Sequence, residues 1–133
     1  MKQLLITYVN YNLWANTRIA ELLSGIDKTL LDKEVKSSFP SLRETVHHIW
    51  DAELAWIARL EGRIVSWPPS EQFSGYPLNE FLKTSQQFID FVRSKEDGFF
   101  NFSTTYKDSR GNTYTHINYG IIMHCMNHGT FHR

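Results

Sequence analysis

The sequence predicts an all-α protein, a four-helix bundle with a short irregular hairpin or loop before its last helix. Apolar residues recur at three- and four-residue spacing in four segments, and glycine or proline lies between these segments. Four amphipathic helices can bury their apolar faces only against one another. Because 133 residues are too few for a second core, we expect a single domain over residues 1–133.

Helix one is predicted over about residues 2–23 and closes near Gly25. Asn12 and Asn16 interrupt its apolar face, so we expect them either to bond across to another helix or to line a polar pocket. The apolar positions that define this helix are Leu5, Tyr8, Val9, Ala15, Ile19, Leu22 and Leu23.

Helix two is predicted to begin after Ser41, which forms a capping box with Glu44, and to end at Gly62. Glu53 falls inside its apolar face, where an ionised carboxylate would be costly unless it is paired. The predicted apolar face consists of Leu42, Val46, Ile49, Ala52, Trp56 and Leu60.

Residues 63–76 contain Trp67-Pro68-Pro69 and Gly75 and cannot continue a helix, so we expect a loop in which Trp67 covers a cleft. Helix three follows Pro77. Residues 99–115 are rich in aromatics and threonine, with a turn at 108–112, and predict a short irregular hairpin. Helix four is expected from about His116 to the end. The apolar face of helix three consists of Leu78, Phe81, Leu82, Phe88, Ile89 and Val92.

Composition excludes several classes of partner. Basic and acidic residues both number 14, and this balance does not favour nucleic acid or an anionic membrane surface. No apolar run is long enough for a membrane helix, and the one at the N-terminus is too short for a signal peptide. The single cysteine, Cys125, excludes an internal disulfide and is typical of a reducing compartment. We therefore expect a soluble cytoplasmic protein with a small-molecule substrate.

Three histidines lie four residues apart in predicted helix four: His124, His128 and His132. A helical projection places them on the same side as Ile121 and Phe131, so we expect all three to point into the protein. A buried ring nitrogen without a partner costs about 1–3 kcal/mol. Two imidazoles on successive helical turns can chelate one divalent ion, and this pattern therefore favours a metal site.

The third ligand is predicted on helix two. His48 flanks the apolar face of that helix, whereas His47 points almost directly away from it. Because metal sites in bundles are built from inward side chains on facing helices, we predict His48, His128 and His132 as metal ligands. Three protein ligands leave one coordination position for water or substrate, as in catalytic zinc sites. We expect Cys125 to be a small buried side chain rather than a fourth ligand.

Two alternatives stay open at this point. The metal could be structural, in a non-catalytic stress-related binding protein, or no metal binds and the histidines satisfy one another and Glu53. An H-E-x-x-H peptidase is excluded, because Cys125 occupies the position of the required glutamate. The pair Glu44 and His47 imitates half of a di-iron site, but helix four offers no carboxylate to complete it. Glycine-rich nucleotide loops and the G-x-S-x-G motif are absent from the sequence.

The sequence resembles the DinB/YfiT-like metalloenzyme family over nearly its whole length. The resemblance implies an up-down-down-up four-helix bundle, often a homodimer, with His48, His128 and His132 as ligands and His124 as a neighbour outside the triad. It also implies zinc or nickel as the metal, with iron or manganese as alternatives. The motifs that carry the resemblance are Tyr11-Asn-Leu-Trp14-Ala-Asn16, Ser41-Leu-Arg-Glu-Thr-Val-His-His48-Ile, Ala52-Glu-Leu-Ala-Trp56 and Asn127-His128-x-x-x-His132-Arg133.

The family resemblance implies a reaction class as well. Its understood relatives include thiol-dependent enzymes such as bacillithiol S-transferases, which implies a low-molecular-weight thiol as cosubstrate. Metal-dependent hydrolysis is the alternative, because a bound divalent ion activates a thiol or a water equally well. In the family pattern Gly-Gln follows the His132-Arg133 pair. We therefore expect either a truncated domain or, if the chain ends here, a frayed last turn around His132.

Overall fold

The computed structural model describes residues 1–73 and 77–133 and is mostly helical, with one small sheet. The four predicted helices are present, and the structure adds a short helix between the first two. The small sheet is the hairpin predicted before the last helix. The elements are α1 (Lys2–Ser24), α2 (Lys28–Leu31), α3 (Leu42–Leu60), α4 (Leu78–Ser94), β1 (Ser103–Lys107), β2 (Thr113–Ile117) and α5 (Asn118–His132).

Local hydrogen bonds explain where the helices begin. The Ser41 hydroxyl accepts from the backbone N–H of Glu44 at 3.2 Å, as the predicted cap requires. The short helix α2 was not predicted, although Asp27 carries the signal for it. The Asp27 carboxylate accepts from the backbone N–H of Thr29 at 2.8 Å and caps the turn. An Asp-x-Thr sequence in the linker could therefore have indicated this helix.

The predicted hairpin is regular and antiparallel. Its register pairs Ser103 with Ile117 at one end and Lys107 with Thr113 at the other. His116 therefore belongs to β2, and α5 begins two residues later than predicted. Asn118 joins the hairpin to α5: its backbone N–H donates to the Phe102 carbonyl at 2.9 Å, and its side chain accepts from the Thr104 hydroxyl at 2.7 Å.

Two apolar clusters form the core. The larger one joins the beginning of α1, the end of α3, the end of α4 and the beginning of α5. The smaller one joins the end of α1 with α2 and with the beginnings of α3 and α4. Its fully buried members include Trp50 and Phe81, and the indole N–H of Trp50 donates to the Thr84 hydroxyl at 2.7 Å.

Three predicted apolar positions are solvent-exposed, and the first is Leu22 on α1, which exposes 62% of its surface. Leu42 lies in the first turn of α3, and Phe131 on α5 exposes 78% of its surface. The core face of α5 is formed by residues at a three- and four-residue spacing that places Phe131 on the opposite side. The prediction that Phe131 points inward was therefore wrong. The buried residues of α5 are Asn118, Ile121, Ile122, Cys125, Met126 and Gly129.

The connection between α3 and α4 is a loop, as predicted. It contains a 3₁₀ turn, Pro69–Gln72, that packs against α3. Residues 74–76, which include Gly75, lie outside the described residues. Within the described ranges, none of the helices combines the length and the apolar character needed to cross a membrane.

Candidate metal centre

Three histidines from two helices converge on one point. His48 lies on α3, and His128 and His132 lie one turn apart on α5. One ring nitrogen from each histidine lies within 4.8 Å of the corresponding nitrogens of the other two. The ring centroids are 4.5–4.7 Å apart. This histidine triad brings together the three residues predicted from the sequence as metal ligands.

The donor set is suited to a divalent ion. A tetrahedral ion with nitrogen ligands at 2.0–2.1 Å places those nitrogens about 3.3 Å apart. The Nε2 atoms of His48 and His128 are 2.7 Å apart, so one ring donates a hydrogen bond to the other. His128 Nδ1 is buried and has no hydrogen-bond partner among the described residues. Small rotations of these rings would bring the nitrogens to ligand spacing.

All three rings are held in the neutral form that a metal requires. Burial lowers the pKa of His128 to about 4, with further lowering from His48, His132 and His124. Burial also lowers the pKa of His48, together with the nearby His132, and burial alone lowers the pKa of His132. A neutral imidazole has a free lone pair, so protons compete weakly with a metal at neutral pH.

These shifts predict a pH dependence for the metal-free protein. His128 binds a proton near pH 6.5 when unfolded but only near pH 4 when folded. The unfolded state therefore binds more protons in this window, and stability falls as the pH falls from about 6.5 to 4. We expect urea denaturation of chelator-treated protein to show a smaller fall in the His128→Ala variant than in the parent. Equal pH dependence in both proteins would contradict the assignment.

Aromatic side chains surround the triad. Phe39 packs on His48 with ring centroids 4.2 Å apart and contacts His132 at 5.4 Å. Trp67 lies edge-on to His48 at 6.2 Å, so the loop residue predicted to cover a cleft does lie beside the histidines. A cavity of about 240 Å³ lies next to the triad, with His48, His128 and Trp67 in its walls. The histidines are thus reached from a cleft with aromatic walls.

The predictions for two further histidines were wrong. His124 was expected to point inward, but it is exposed and lies edge-on to Trp56 at 5.5 Å. Its position on α5 is outside the core face, and it takes no part in the triad. His47 was expected to point outward, but the 3₁₀ turn half buries it, and its Nδ1 lies 3.3 Å from the Ser70 hydroxyl.

Cys125 is not positioned as a fourth ligand. Its side chain is buried in the larger apolar cluster, as predicted, and it is not among the residues grouped around the triad. Burial raises the pKa of this thiol well above its ordinary value. A protonated thiol in an apolar environment is a poor ligand and a poor nucleophile.

A buried polar network around Glu53 lies between α1, α3 and α4. Asn12 and Asn16 both donate to Glu53 Oε1 at 2.7 Å, and the Ser85 hydroxyl donates to Oε2 at 2.7 Å. Of the two roles left open for the asparagines, the structure shows the bonds across helices. Burial raises the pKa of Glu53, whereas these three hydrogen bonds and the nearby Arg133 lower it. Glu53 therefore joins α1, α3 and α4.

Arg133 extends this network to α5, which the sequence did not predict. Its Nη1 donates to the side-chain oxygens of Asn12 at 2.9 Å and Asn16 at 2.5 Å. Gly129 makes room for this contact, because a Cβ at that position would lie 2.9 Å from Arg133 Nη1. The end of α5 is consequently hydrogen-bonded to α1. The missed signal was a glycine in helical register with Cys125 and Arg133.

Comparison with known proteins gives two matches. A family model described as the DinB family matches residues 1–133. A relative, Protein DinB of Bacillus subtilis (strain 168), is 30% identical over 134 aligned residues, which cover 92% of this chain and 76% of the relative.

Proposed function

Because the chain belongs to the DinB family, we propose that it is a divalent-metal-dependent enzyme, a thiol-dependent S-transferase that acts on small electrophiles. The observation that carries the proposal is the convergence of His48, His128 and His132, with ligand nitrogens within 4.8 Å of one another. Three imidazoles around a four-coordinate ion leave one position for a reactant. Family membership supports a metal at this site.

Zinc or nickel is the proposed metal, with iron or manganese as alternatives. Imidazole ligands suit zinc, nickel and iron better than they suit calcium or magnesium. When bound, a divalent ion lowers the pKa of a thiol at its open position, so that a thiolate is available at neutral pH. In the transfer, the thiolate sulfur forms a bond to the electrophilic carbon, and the leaving group departs with its electron pair. The thiol proton goes to solvent.

The contribution of this chain is to hold and shield the reactants. The neutral rings of the triad provide three lone pairs on two helices that pack against each other. Phe39 and Trp67 beside the histidines reduce the access of water, which favours a thiol over water as the nucleophile. We assign no general base.

We also propose the up-down-down-up arrangement for the four long helices. The larger core cluster joins the beginnings of α1 and α5 to the ends of α3 and α4, as this arrangement requires. The smaller cluster supports it, because the end of α1 lies beside the beginnings of α3 and α4. The proposal includes a cytoplasmic location, a small-molecule substrate and assembly as a homodimer.

The proposed function is tested with protein purified without a histidine tag and loaded with zinc or nickel. Low-molecular-weight thiols are offered an aromatic electrophile such as 1-chloro-2,4-dinitrobenzene, and the conjugate is followed by absorbance. We expect turnover that chelation removes and metal restores. Metal-dependent turnover in the parent should be lost in His48→Ala, whereas His124→Ala, whose side chain lies outside the triad, should keep its metal.

Two results would overturn the S-transferase proposal. The first is the absence of metal-dependent turnover with every thiol tested. The second is metal-dependent cleavage of an ester or amide substrate without any added thiol, which would assign the site to a hydrolase. A bound metal that raises thermal stability but supports neither reaction would indicate a structural site.

A further inference from the structure

A groove runs from the histidine triad along α3 to Arg59. His48 and Arg59 are eleven residues apart on one face of the helix, which corresponds to about 16 Å of rise. Ala52 and Ala55 lie between them on that face, and both line the same cavity. Both ends of the groove line a single cavity of about 240 Å³, together with His128 on α5.

Arg59 is held in a fixed position at the far end of this groove. Its guanidinium carbon lies 4.6 Å from the ring centroid of Trp56 and 4.9 Å from that of Tyr106. Contacts with two aromatic rings restrict the guanidinium plane without using any of its N–H donors. The charge is therefore preorganised.

One donor of Arg59 lacks an acceptor. The Nε atom is buried and has no hydrogen-bond partner among the described residues. A buried donor of a charged group without an acceptor is costly, so the Arg59 guanidinium is stabilised by an anion placed beside it in the groove. Burial also lowers the pKa of Arg59, with Tyr106 and Asp108 acting in the opposite direction. An arginine stays protonated at neutral pH, so the site is cationic.

The acidic residue in the groove wall, Asp108, forms hydrogen bonds within its own turn rather than with Arg59. Its carboxylate accepts from the backbone N–H groups of Arg110 and Asn112 at 2.9 and 2.8 Å and from the Asn112 side chain at 3.1 Å. These bonds stabilise the turn between β1 and β2. Among the residues that the structure describes, no ion pair joins Asp108 to Arg59 within 4.0 Å.

We propose that this groove binds a small organic acid, with its carboxylate on Arg59 and its reactive end at the histidine triad. The inference rests on the proposed function and adds the chemical class of a substrate: one that carries a carboxylate several bonds from its reacting atom. Trp56 and Trp67 in the groove walls provide apolar contacts for the chain between the two ends. Arg59 is then the residue that selects an acidic substrate over a neutral one.

The experiment compares two ligands that differ only at the end facing Arg59. Binding of 6-mercaptohexanoate and 6-mercaptohexanol to the zinc-loaded protein is measured by isothermal titration calorimetry. A charge-assisted bond to arginine predicts about 10- to 100-fold tighter binding of the acid. The preference should disappear in Arg59→Gln. It should persist in the control Arg63→Gln, because Arg63 is exposed, pairs with Glu61 and does not line the groove.

Equal affinity for the two ligands in the parent would overturn the inference, and so would a preference that survives in Arg59→Gln. If Arg59→Gln fails to fold, nuclear magnetic resonance of the parent decides the question. We expect the Nε–H signal of Arg59 to shift on addition of the acid and not of the alcohol, and an unchanged signal would overturn the inference. Metal content is measured in the same samples. Protein without metal contradicts the proposed function, and hexanoate against hexanol then tests Arg59 directly.

Discussion

Replacing Glu53 with alanine is expected to lower the free energy of unfolding by about 3–5 kcal/mol, because it breaks a buried charged network. The change removes the acceptor for Asn12, Asn16 and Ser85, all of which are buried. It also removes the carboxylate that faces Arg133 through the two asparagines. The buried donors of Asn12, Asn16 and Ser85 would then lose this acceptor, although Asn16 keeps its bond to the Ser85 hydroxyl and Arg133 keeps its bonds to the two asparagines. Urea denaturation followed by circular dichroism measures this loss.

Glu21→Ala is the matched control for this substitution. Glu21 lies on α1, is exposed, and forms an ion pair with Arg18 at 3.3 Å that is also exposed. Surface ion pairs of this kind contribute about 0–1 kcal/mol, so little change is expected. Glu53→Gln, which keeps the side-chain volume, should lie between the two variants. If Glu53→Ala were no less stable than Glu21→Ala, the network would not be part of what holds the four helices together.

His128→Ala is expected to have the largest effect on metal affinity. Burial lowers the pKa of His128 to about 4, and its Nε2 lies 2.7 Å from that of His48. Losing a group that only orients a ligand lowers metal affinity by about 10- to 100-fold. We expect a larger loss when the ligand itself is removed. Competition titration with a chromophoric zinc chelator measures the affinity.

His124→Ala provides the control on the same helix. His124 lies one turn before His128, is exposed, and contacts Trp56 rather than the triad. Its removal should change the metal affinity by less than about 10-fold, since it offers no ligand nitrogen to this group. If His124→Ala and His128→Ala weakened binding equally, His124 would have to be counted among the ligands.

The helices could be predicted because each is specified by local signals. The Ser41 cap and the apolar spacing of α3 and α4 depend only on neighbouring residues, and the structure confirms them. The end of the hairpin could not be predicted from local signals. His116 fits a helix as well as a strand, and its pairing with Thr104 in β1 decides the matter.

Helical spacing predicts which side chains share one face of a helix, and this part of the site could be predicted. The pair His128 and His132 follows from their i, i+4 spacing. The outward position of His124 and Phe131 does not, because the packing of α5 on α1 and α3 sets the rotation of the helix. The role of Arg133 was missed for a similar reason, because it depends on the space that Gly129 leaves beside Asn12.

The central claim is that His48, His128 and His132 bind one divalent ion. Elemental analysis by inductively coupled plasma mass spectrometry, on protein purified without a histidine tag, tests it most directly, with the His48→Ala variant prepared in parallel. Three imidazoles from α3 and α5 predict about one equivalent of divalent metal per chain in the parent and a large loss in the variant. Stoichiometric metal that persists undiminished in His48→Ala, or no metal in the parent, would contradict the claim.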